Sequence, residues 1–352
     1  MENIDNAVSE KTAIFPLNAW YAIAWDVEVK HQLLPRTICN RKLVMYRTPE
    51  GIPAVLEDAC WHRLLPLSKG WLEGENVVCG YHGLTFNPAG RCTHMPSQKT
   101  INPSASVRSY PTEEKYRFVW VWMGDPALAD PKLIPDLHWN DDPDWVSDGK
   151  TIHVNCDYRL VVDNLMDLTH ETYVHSTSIG NKAVAEAPFK TTHGEKTATV
   201  TRWMINIDAP PFWAAQLNKP GKVDRWQIIR FEAPSTIAID VGVAPTGTGA
   251  PEGDRSQGVN GFVLNTMTPE TDRSCHYFWA FARNHHVKDQ KWTTILTQGV
   301  EKVFGEDEVV LKAQQIAINE HPDKEFYNLN IDSGSMWARK LIDKMIDKEL
   351  SG

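Results

Sequence analysis

The chain has 352 residues, of which 42% are hydrophobic and 23% are charged, so it is an ordinary globular mixture long enough for two domains. Its formal net charge of −9 argues against nucleic acid as a partner, because nucleic-acid-binding proteins are usually basic. No segment reaches the roughly 18 consecutive apolar residues of a membrane span, and the first residues lack the pattern of a signal peptide, so a cytoplasmic protein with no membrane partner is expected.

The first part of the chain is predicted to be a β-rich domain that follows a loose arm. Residues 1–15 are mostly polar and are interpreted as a flexible N-terminal arm. Residues 16–125 contain short runs of β-branched and aromatic residues separated by Gly, Pro and Asn, which is typical of strands and turns. Residues 126–150 are rich in Pro and Asp, which disfavour long helices and strands, so we interpret them as a linker.

Residues 151–352 are predicted to form a second domain that mixes strands with helices. A helix is expected over 160–175, where apolar residues recur at steps of three and four. Strand-like runs occupy 190–285, and helical patterns return over 292–319 and 337–350. The whole chain is therefore expected to be an α+β protein.

Four residues that commonly bind metals stand in two short, similar groups, Cys60 with His62 and Cys79 with His82. Such a set suits either structural zinc or a Rieske [2Fe–2S] centre, in which two His replace two Cys on one iron. Zinc fingers usually pair Cys with Cys and His with His. Here each group supplies one of each, so each loop can give its Cys to one iron and its His to the other. This spacing favours the iron–sulfur cluster, and a zinc-stapled interaction module is the alternative.

A second candidate metal site lies in the helix predicted over 160–175, where His170 and His175 stand close to acidic residues. Non-haem Fe(II) oxygenases bind iron with two His and one carboxylate. Residues five apart are separated by about 140° around an ideal helix. These two His can therefore share one metal only if the helix ends or distorts between them. Spacing does not identify the carboxylate, because acidic residues are frequent throughout the chain.

The two patterns together resemble the oxygenase components of the Rieske non-haem iron oxygenases. The similarity is strongest to the branch that contains vanillate O-demethylase, dicamba O-demethylase and toluenesulfonate methyl-monooxygenase, in segments 18–25, 161–170, 268–271 and 274–279. It covers nearly the whole chain. It implies an all-β Rieske [2Fe–2S] domain followed by a catalytic domain of the helix-grip type, in which an antiparallel sheet wraps around long helices.

The resemblance also implies two metal centres per chain. The ligands of one [2Fe–2S] cluster are Cys60, His62, Cys79 and His82. The ligands of one mononuclear Fe(II) are His170, His175 and an acidic residue of a later helix, which matches Asp307, with Glu306 and Glu308 as alternatives.

Further residues receive roles from the same resemblance. Asp167 is implied to bridge His82 of one subunit to His170 of the next, in a homotrimer. Asn164 stands one turn before Asp167 and is expected to lie near the iron. The candidate substrate-binding residues, which suit a buried core equally well, are Asn265, Trp279 and Phe281.

The function implied is that of a terminal oxygenase, which uses O₂ to hydroxylate a methyl or methoxy group of a small aromatic acid. Demethylation of an aryl methyl ether would release formaldehyde. The alternative, oxidation of a methyl group on an arylsulfonate or arylcarboxylate, would give a benzylic alcohol. No nucleotide-binding or plant-type ferredoxin motif is visible, so electrons from NAD(P)H must arrive through a separate reductase of the ferredoxin or flavin type. A Rieske electron carrier without oxygenase chemistry is the alternative of another class, although it would need only the first third of the chain.

Overall fold

The computed structural model describes residues 14–96, 98–180 and 182–351, and most of the predicted N-terminal arm lies outside this range. The strands are β1 (Trp20–Trp25), β2 (Leu34–Ile38), β3 (Arg41–Arg47), β4 (Pro53–Glu57), β5 (Trp71–Glu73), β6 (Asn76–Val78), β7 (Thr85–Phe86), β8 (Cys92–His94), β9 (Thr112–Lys115), β10 (Phe118–Trp122), β11 (Val146–Val154), β12 (Phe189–His193), β13 (Thr197–Ile207), β14 (Val223–Glu232), β15 (Thr236–Pro245), β16 (Val259–Thr271) and β17 (Ser274–Arg283). The α-helices are α1 (Tyr158–Met166), α2 (Lys182–Glu186), α3 (Pro211–Leu217), α4 (Gln290–Glu320) and α5 (Ser333–Ser351). The predicted α+β class is confirmed.

The N-terminal domain is built from two small antiparallel sheets, β2-β3-β4 and β5-β6-β7-β8, and from part of a third. Side chains between the two small sheets form one core, to which Val44, Leu56 and Phe86 contribute. Cys60 and Cys79 are buried in the same core. Burial of this apolar surface therefore fixes the two Cys-bearing loops against each other.

The third sheet, with strand order β1-β10-β9, connects the two domains. Its Trp20, Trp120 and Trp122 are almost completely buried and pack in one cluster with Leu264 and Phe278 of the C-terminal domain. Aromatic side chains of this size bury a large area each. The two domains thus share a continuous core, which holds one against the other.

The segment predicted as a linker, 126–150, is shorter in the structure. Its first part forms 3-10 turns, two of which begin at Pro126 and Pro131 after an Asp whose carboxylate accepts a backbone N–H of the turn. Its last five residues, however, belong to β11, which starts at Val146. β11 is an edge strand without a regular alternation of buried and exposed residues, so the residue pattern does not indicate a strand there.

A seven-stranded antiparallel sheet forms the centre of the C-terminal domain, with strand order β11-β17-β16-β15-β14-β13-β12. Successive side chains of a strand point to opposite faces. On β14, Ile229 and Phe231 join the core that α1, α4 and α5 also line, whereas Trp226 packs on the other side. We call the first side the helix face of the sheet. This arrangement of a sheet around helices agrees with the expected fold.

The helices that cover the sheet begin and end close to the predicted positions, with one informative exception. α4 and α5 agree with the predictions over 292–319 and 337–350 to within four residues. α1 ends at Met166, although a helix was predicted over 160–175. Asp167 is extended, and its carboxylate accepts the N–H of Thr169 at the start of a new 3-10 turn. In the described residues, no helix has both the length and the apolar character needed to cross a membrane.

Candidate active site

Two loops of the N-terminal domain present Cys60 and Cys79 with the same backbone pattern. In the first loop the Cys60 N–H donates to the Leu65 carbonyl, and the Leu64 N–H donates back to the Cys60 carbonyl, both at 2.9 Å. The second loop repeats the two bonds around Cys79, at 2.8 and 3.0 Å. Leu64 and Gly83, four residues after each Cys, both adopt the left-handed conformation, with φ of 59° and 74°. Two equivalent turns therefore deliver one Cys and one His each.

The thiols and the imidazoles of these loops lie in different environments. Cys60 and Cys79 are each 1% exposed, and burial together with the neighbouring thiol raises the pKa of Cys60 to about 11. His62 and His82 are exposed, and their ring centroids lie 4.6 Å apart. A thiol with so high a pKa becomes a thiolate at neutral pH only when a metal displaces its proton. The loops thus offer two sulfur ligands inside and two nitrogen ligands at the surface.

The spacing of these four side chains fits two metal ions better than one. Donors around a single tetrahedral zinc lie within about 4 Å of one another, given metal–ligand distances of 2.0–2.3 Å. Within the described ranges, just one set of three or more His, Cys, Asp or Glu brings its ligand atoms within 4.8 Å of one another, and it is not this set. The wider spacing leaves room for two irons and their bridging sulfides.

The compact set consists of His170, His175 and Asp307. Asp307 lies on α4, and its Oδ1 is 3.4 Å from Nε2 of His170 and 3.2 Å from Nε2 of His175. The two imidazoles meet because α1 ends before His170 and the 3-10 turn ends at Thr172. The expectation that the helix must end or distort is therefore correct, although the break comes before the first His.

The electrostatics of His170, His175 and Asp307 favour the binding of a cation between them. Burial acts to raise the pKa of Asp307, but the hydrogen bonds and the attraction of His170 and His175 outweigh it and lower that pKa to about 2. Burial has the opposite effect on both imidazoles and acts to lower their pKa. The hydrogen bonds and the negative charge of Asp307 are the main opposing causes, and the pKa of each imidazole is raised above its ordinary value. The carboxylate therefore stays ionised, and its electrostatic field attracts positive charge to the two Nε2 atoms.

In each imidazole, the nitrogen that faces away from Asp307 is hydrogen-bonded to an acceptor. Nδ1 of His170 lies 2.6 Å from the main-chain carbonyl of Asp167, and Nδ1 of His175 lies 2.7 Å from a carboxylate oxygen of Glu306. A proton on Nδ1 leaves the lone pair of Nε2 free for a metal. Glu306, an alternative third ligand in the sequence prediction, thus binds the far side of His175 and not the position of Asp307.

Asn164 and Asp167 both reach the site, but in different ways. The Asn164 amide donates to Oδ1 of Asp307 at 3.1 Å, which places it beside the triad. The contact of Asp167 with His170 is made by its main-chain carbonyl and not by its carboxylate. The carboxylate accepts from Thr169 Oγ1 at 2.6 Å and faces Arg202 at 3.7 Å. It does so because Asp167 is also the N-cap of the 3-10 turn.

Glu306→Gln is expected to weaken the binding of Fe(II) at the triad by roughly 10- to 100-fold, the usual effect of removing an acceptor that orients a ligand His. The cluster should be unaffected. Titration of metal-depleted protein with Fe(II) under anaerobic conditions measures the change. Glu308→Gln is the matched control, since Glu308 is the next acidic residue of α4 and lies outside the triad. Equal affinities of the two variants would contradict the assigned role of Glu306.

A cavity opens next to the triad, between the helix face of the sheet and α1, α3 and α4. His170, His175 and Asp307 form part of its wall. Most of the other lining side chains are aliphatic or aromatic, among them Phe212 and Phe304. A mostly apolar lining with a few polar groups is typical of pockets for small molecules. The arrangement suits a flat apolar ligand whose reacting group faces the metal ligands.

The predicted substrate-binding residues are distributed differently. Phe281 lines the cavity. Asn265 and Trp279 do not, and both are completely buried. The Asn265 amide bonds two main-chain carbonyls and the hydroxyl of Tyr277, and Trp279 packs behind Phe304 with ring centroids 5.3 Å apart. These two residues therefore lie one layer behind the cavity wall and do not reach a ligand inside it.

Two charged residues of the cavity wall were not anticipated from the sequence. Glu171 accepts from Nη2 of Arg225 at 2.9 Å and from Nε2 of Gln227 at 2.8 Å, and all three side chains are buried. A signal was present in β14, where Arg225 and Gln227 alternate onto the same face as Val223, Ile229 and Phe231. Polar residues on a buried face usually belong to a hydrogen-bonded network.

Comparison with known proteins identifies both parts of the chain. Residues 19–111 match the Rieske [2Fe-2S] domain, and residues 154–348 match the vanillate O-demethylase oxygenase C-terminal domain. The vanillate O-demethylase oxygenase subunit of Pseudomonas sp. (strain HR199 / DSM 7063) is 44% identical, with 96% of each chain covered. The iron-sulfur subunit of the toluene-4-sulfonate monooxygenase system of Comamonas testosteroni is 39% identical, over 96% of this chain and 99% of the other. The crystal structure of dicamba monooxygenase bound to 3,6-dichlorosalicylic acid superposes with a TM-score of 0.91 at 33% identity, over 96% of this chain and 99% of the other.

Proposed function

Because the chain belongs to the vanillate O-demethylase oxygenase family of Rieske oxygenases, we propose that it hydroxylates a methyl or methoxy group of a small aromatic acid. The observation that carries the proposal is the triad of His170, His175 and Asp307 in the wall of a mostly apolar cavity. Two His and one carboxylate leave positions open on a bound iron. Because the triad lines the cavity, an iron held there would supply O₂ activation next to a ligand's methyl group.

The side chains fit the two cofactors of such an oxygenase. Cys60 and Cys79 would supply the thiolates of the [2Fe–2S] cluster, and His62 and His82 would supply its imidazoles at the protein surface. The compact triad would hold one Fe(II). When bound, the cluster supplies single electrons and the iron supplies the activation of O₂.

The protein's own residues prepare this chemistry in three ways. The apolar wall excludes water from the reacting group. Glu306 and the Asp167 carbonyl keep the two imidazoles oriented, with Nε2 towards the metal position. Asn164 donates to the carboxylate of Asp307 and restricts its rotation. A methoxy group that is hydroxylated under these conditions collapses to formaldehyde and a phenol.

Electrons require a partner, since relatives of this chain are the oxygenase components of multi-component systems. A separate reductase of the ferredoxin or flavin type, fed by NAD(P)H, is proposed as the donor. The imidazoles His62 and His82 are exposed at the edge of the N-terminal domain. His62, which the subunit contact proposed below does not use, offers the reductase an exposed imidazole next to the cluster position.

A homotrimer is proposed as the working unit, in which Asp167 joins the iron site of one chain to His82 of the next. Support comes from apolar side chains beside the exposed imidazoles, since Trp61, Leu64 and Tyr81 are 40%, 74% and 63% exposed. Exposed apolar groups that cluster in this way are typical of interaction surfaces. Light scattering on the holoprotein is expected to give the mass of three chains.

A substrate screen tests the proposed function. The holoprotein, a reductase and NAD(P)H are incubated with vanillate, 3- and 4-methoxybenzoate, 4-methylbenzoate and 4-toluenesulfonate. Formaldehyde in equal amount to a phenol is expected from at least one methoxy acid. Absence of formaldehyde from all of them, together with benzylic alcohol from a methyl acid, would replace demethylation by methyl oxidation. Reduction and reoxidation of the cluster without any product would indicate an electron carrier.

A further inference from the structure

One residue of the cavity wall has no role in the function proposed so far. Arg225, on β14, is the only Arg or Lys among the described residues that line the cavity. It is 2% exposed. A buried guanidinium is costly unless charged or hydrogen-bonded partners compensate it. Its position in an otherwise mostly apolar wall therefore calls for a partner of opposite charge.

Acceptors within the protein use only some of the N–H groups of this guanidinium. Nη2 donates to Glu171 at 2.9 Å, and Nη1 makes a long contact of 3.5 Å with the Ile179 carbonyl. Nε is buried and has no hydrogen-bond partner. Because a guanidinium carries five N–H groups, donors are left over. A buried donor without an acceptor destabilises the protein, so an acceptor supplied by a ligand would be strongly favoured.

Glu171 holds the guanidinium in place without using up its charge. One oxygen of Glu171 accepts from Arg225 and the other accepts from Gln227 at 2.8 Å. Both donors come from the same strand of the central sheet, which is a rigid support. Since both oxygens of Glu171 are occupied, its repulsion of a second anion is reduced. Glu171 also follows His170 directly in the chain, so the guanidinium and the triad are positioned by the same 3-10 turn.

We propose that Arg225 binds the acid group of the substrate, a carboxylate or a sulfonate, and thereby sets which methyl or methoxy group faces the triad. This inference rests on the proposed function, since it concerns the same cavity. Arginine suits this role because its planar fork of N–H groups matches two acid oxygens at once. The apolar part of the wall would then contact the aromatic ring.

The competing explanation is that Arg225 only braces Glu171 and the turn that carries the His ligands. If Arg225 only positions Glu171 and this turn, its substitution would change the affinity for all ligands of the cavity alike. An acid-binding residue would affect an acid far more than a neutral molecule of the same shape. The ratio of the two affinities therefore separates the explanations.

The test uses the double variant Glu171→Gln/Arg225→Gln of the holoprotein, which leaves no unpaired charge in the core. Apparent affinities are measured for 4-methoxybenzoate and for its neutral analogue 4-methoxybenzamide, and the Kd of benzoate is measured by calorimetry without O₂. The ratio of acid to amide affinity is expected to fall by about 30-fold or more, the effect of losing a buried charged hydrogen bond. Arg225→Lys should recover part of this ratio, since the positive charge is kept.

Arg283→Gln is the matched control. Arg283 is an equally buried arginine on β17, but it bonds the N-terminal region of α4 through Thr293 and does not line the cavity. This variant should leave the acid-to-amide ratio unchanged even if it lowers stability. An unchanged ratio in the double variant, or wild-type protein that does not bind benzoate, would overturn the inference.

Benzoate also separates this inference from the proposed function, because it has no methyl or methoxy group to oxidise. Wild-type protein that binds benzoate through Arg225, but oxidises none of the methoxy and methyl acids, would refute the proposed reaction and support the acid site. Wild-type protein that oxidises these acids, with the same acid-to-amide ratio in the double variant, would support the reaction and refute the acid site.

Discussion

Asp307→Ala is expected to stop product formation, with a loss of roughly 1,000-fold or more, equivalent to about 4 kcal/mol in the barrier. Asp307 is the carboxylate whose oxygen lies within 3.4 Å of Nε2 of both His170 and His175. Alanine would leave two imidazoles and no anionic ligand, so iron should be lost from the triad. Product formation and iron content are measured together. The spectrum of the reduced cluster should stay the same, because its ligands are in the other domain.

Glu308→Ala serves as the control for this substitution. It removes a carboxylate one residue further along α4, outside the triad. Its activity should stay close to that of the wild type, whereas Asp307→Ala should be inactive with the cluster intact. Full activity of Asp307→Ala would mean that another carboxylate completes the iron site.

Asp167→Asn is expected to slow electron transfer from the cluster to the iron by roughly 100-fold while both metals are retained. The main-chain carbonyl of Asp167 still accepts from His170, so the iron ligands should keep their positions. An amide oxygen can also still cap the 3-10 turn through Thr169. What disappears is the negative charge proposed to link neighbouring subunits. Stopped-flow reoxidation of the reduced cluster by O₂, with substrate present, measures this step.

Asp163→Asn is the matched control, since Asp163 lies on α1, four residues before Asp167. Asp163 is paired with Arg339 of α5 through Nε at 2.9 Å and does not reach the triad. Its substitution should lower the stability of the fold, yet the rate of cluster reoxidation should be unchanged. If Asp163→Asn and Asp167→Asn slowed reoxidation equally, the effect would be one of stability and the bridging role would be refuted.

The proposed cluster ligands can be recognised in the sequence because their pattern is local. Cys60 and Cys79 each stand a few residues before their His, and the repeated turn that carries them spans only six residues. Asp307 could not be found in this way. It meets His175 only because α4 folds back across the sheet, and its acidic neighbours have the same local pattern. The resemblance to a family supplied this ligand, and the structure brings it to the two His.

The cavity was the part that the sequence predicted least well. Asn265 and Trp279 were predicted as substrate-binding residues that suit a buried core equally well, and in the structure they are opposite each other in the register of β16 and β17, on the helix face. Phe304 of α4 covers Trp279, however, so the cavity begins one layer above it. Whether a residue of a strand lines the cavity depends on the helix that packs over that part of the strand. The place of Arg225 in the wall could not be predicted for the same reason, since the sequence did not determine the register of β14.

One chain is predicted to carry both a Rieske cluster and a separate mononuclear iron. Anaerobically purified protein is examined by visible and EPR spectroscopy before and after reduction with dithionite, with analysis of iron, zinc and sulfide in the same sample. A red-brown protein with a Rieske signal on reduction, about two sulfides and about three irons per chain is predicted. A colourless protein that contains zinc would contradict the account, since the two Cys–His loops would then form a structural metal site.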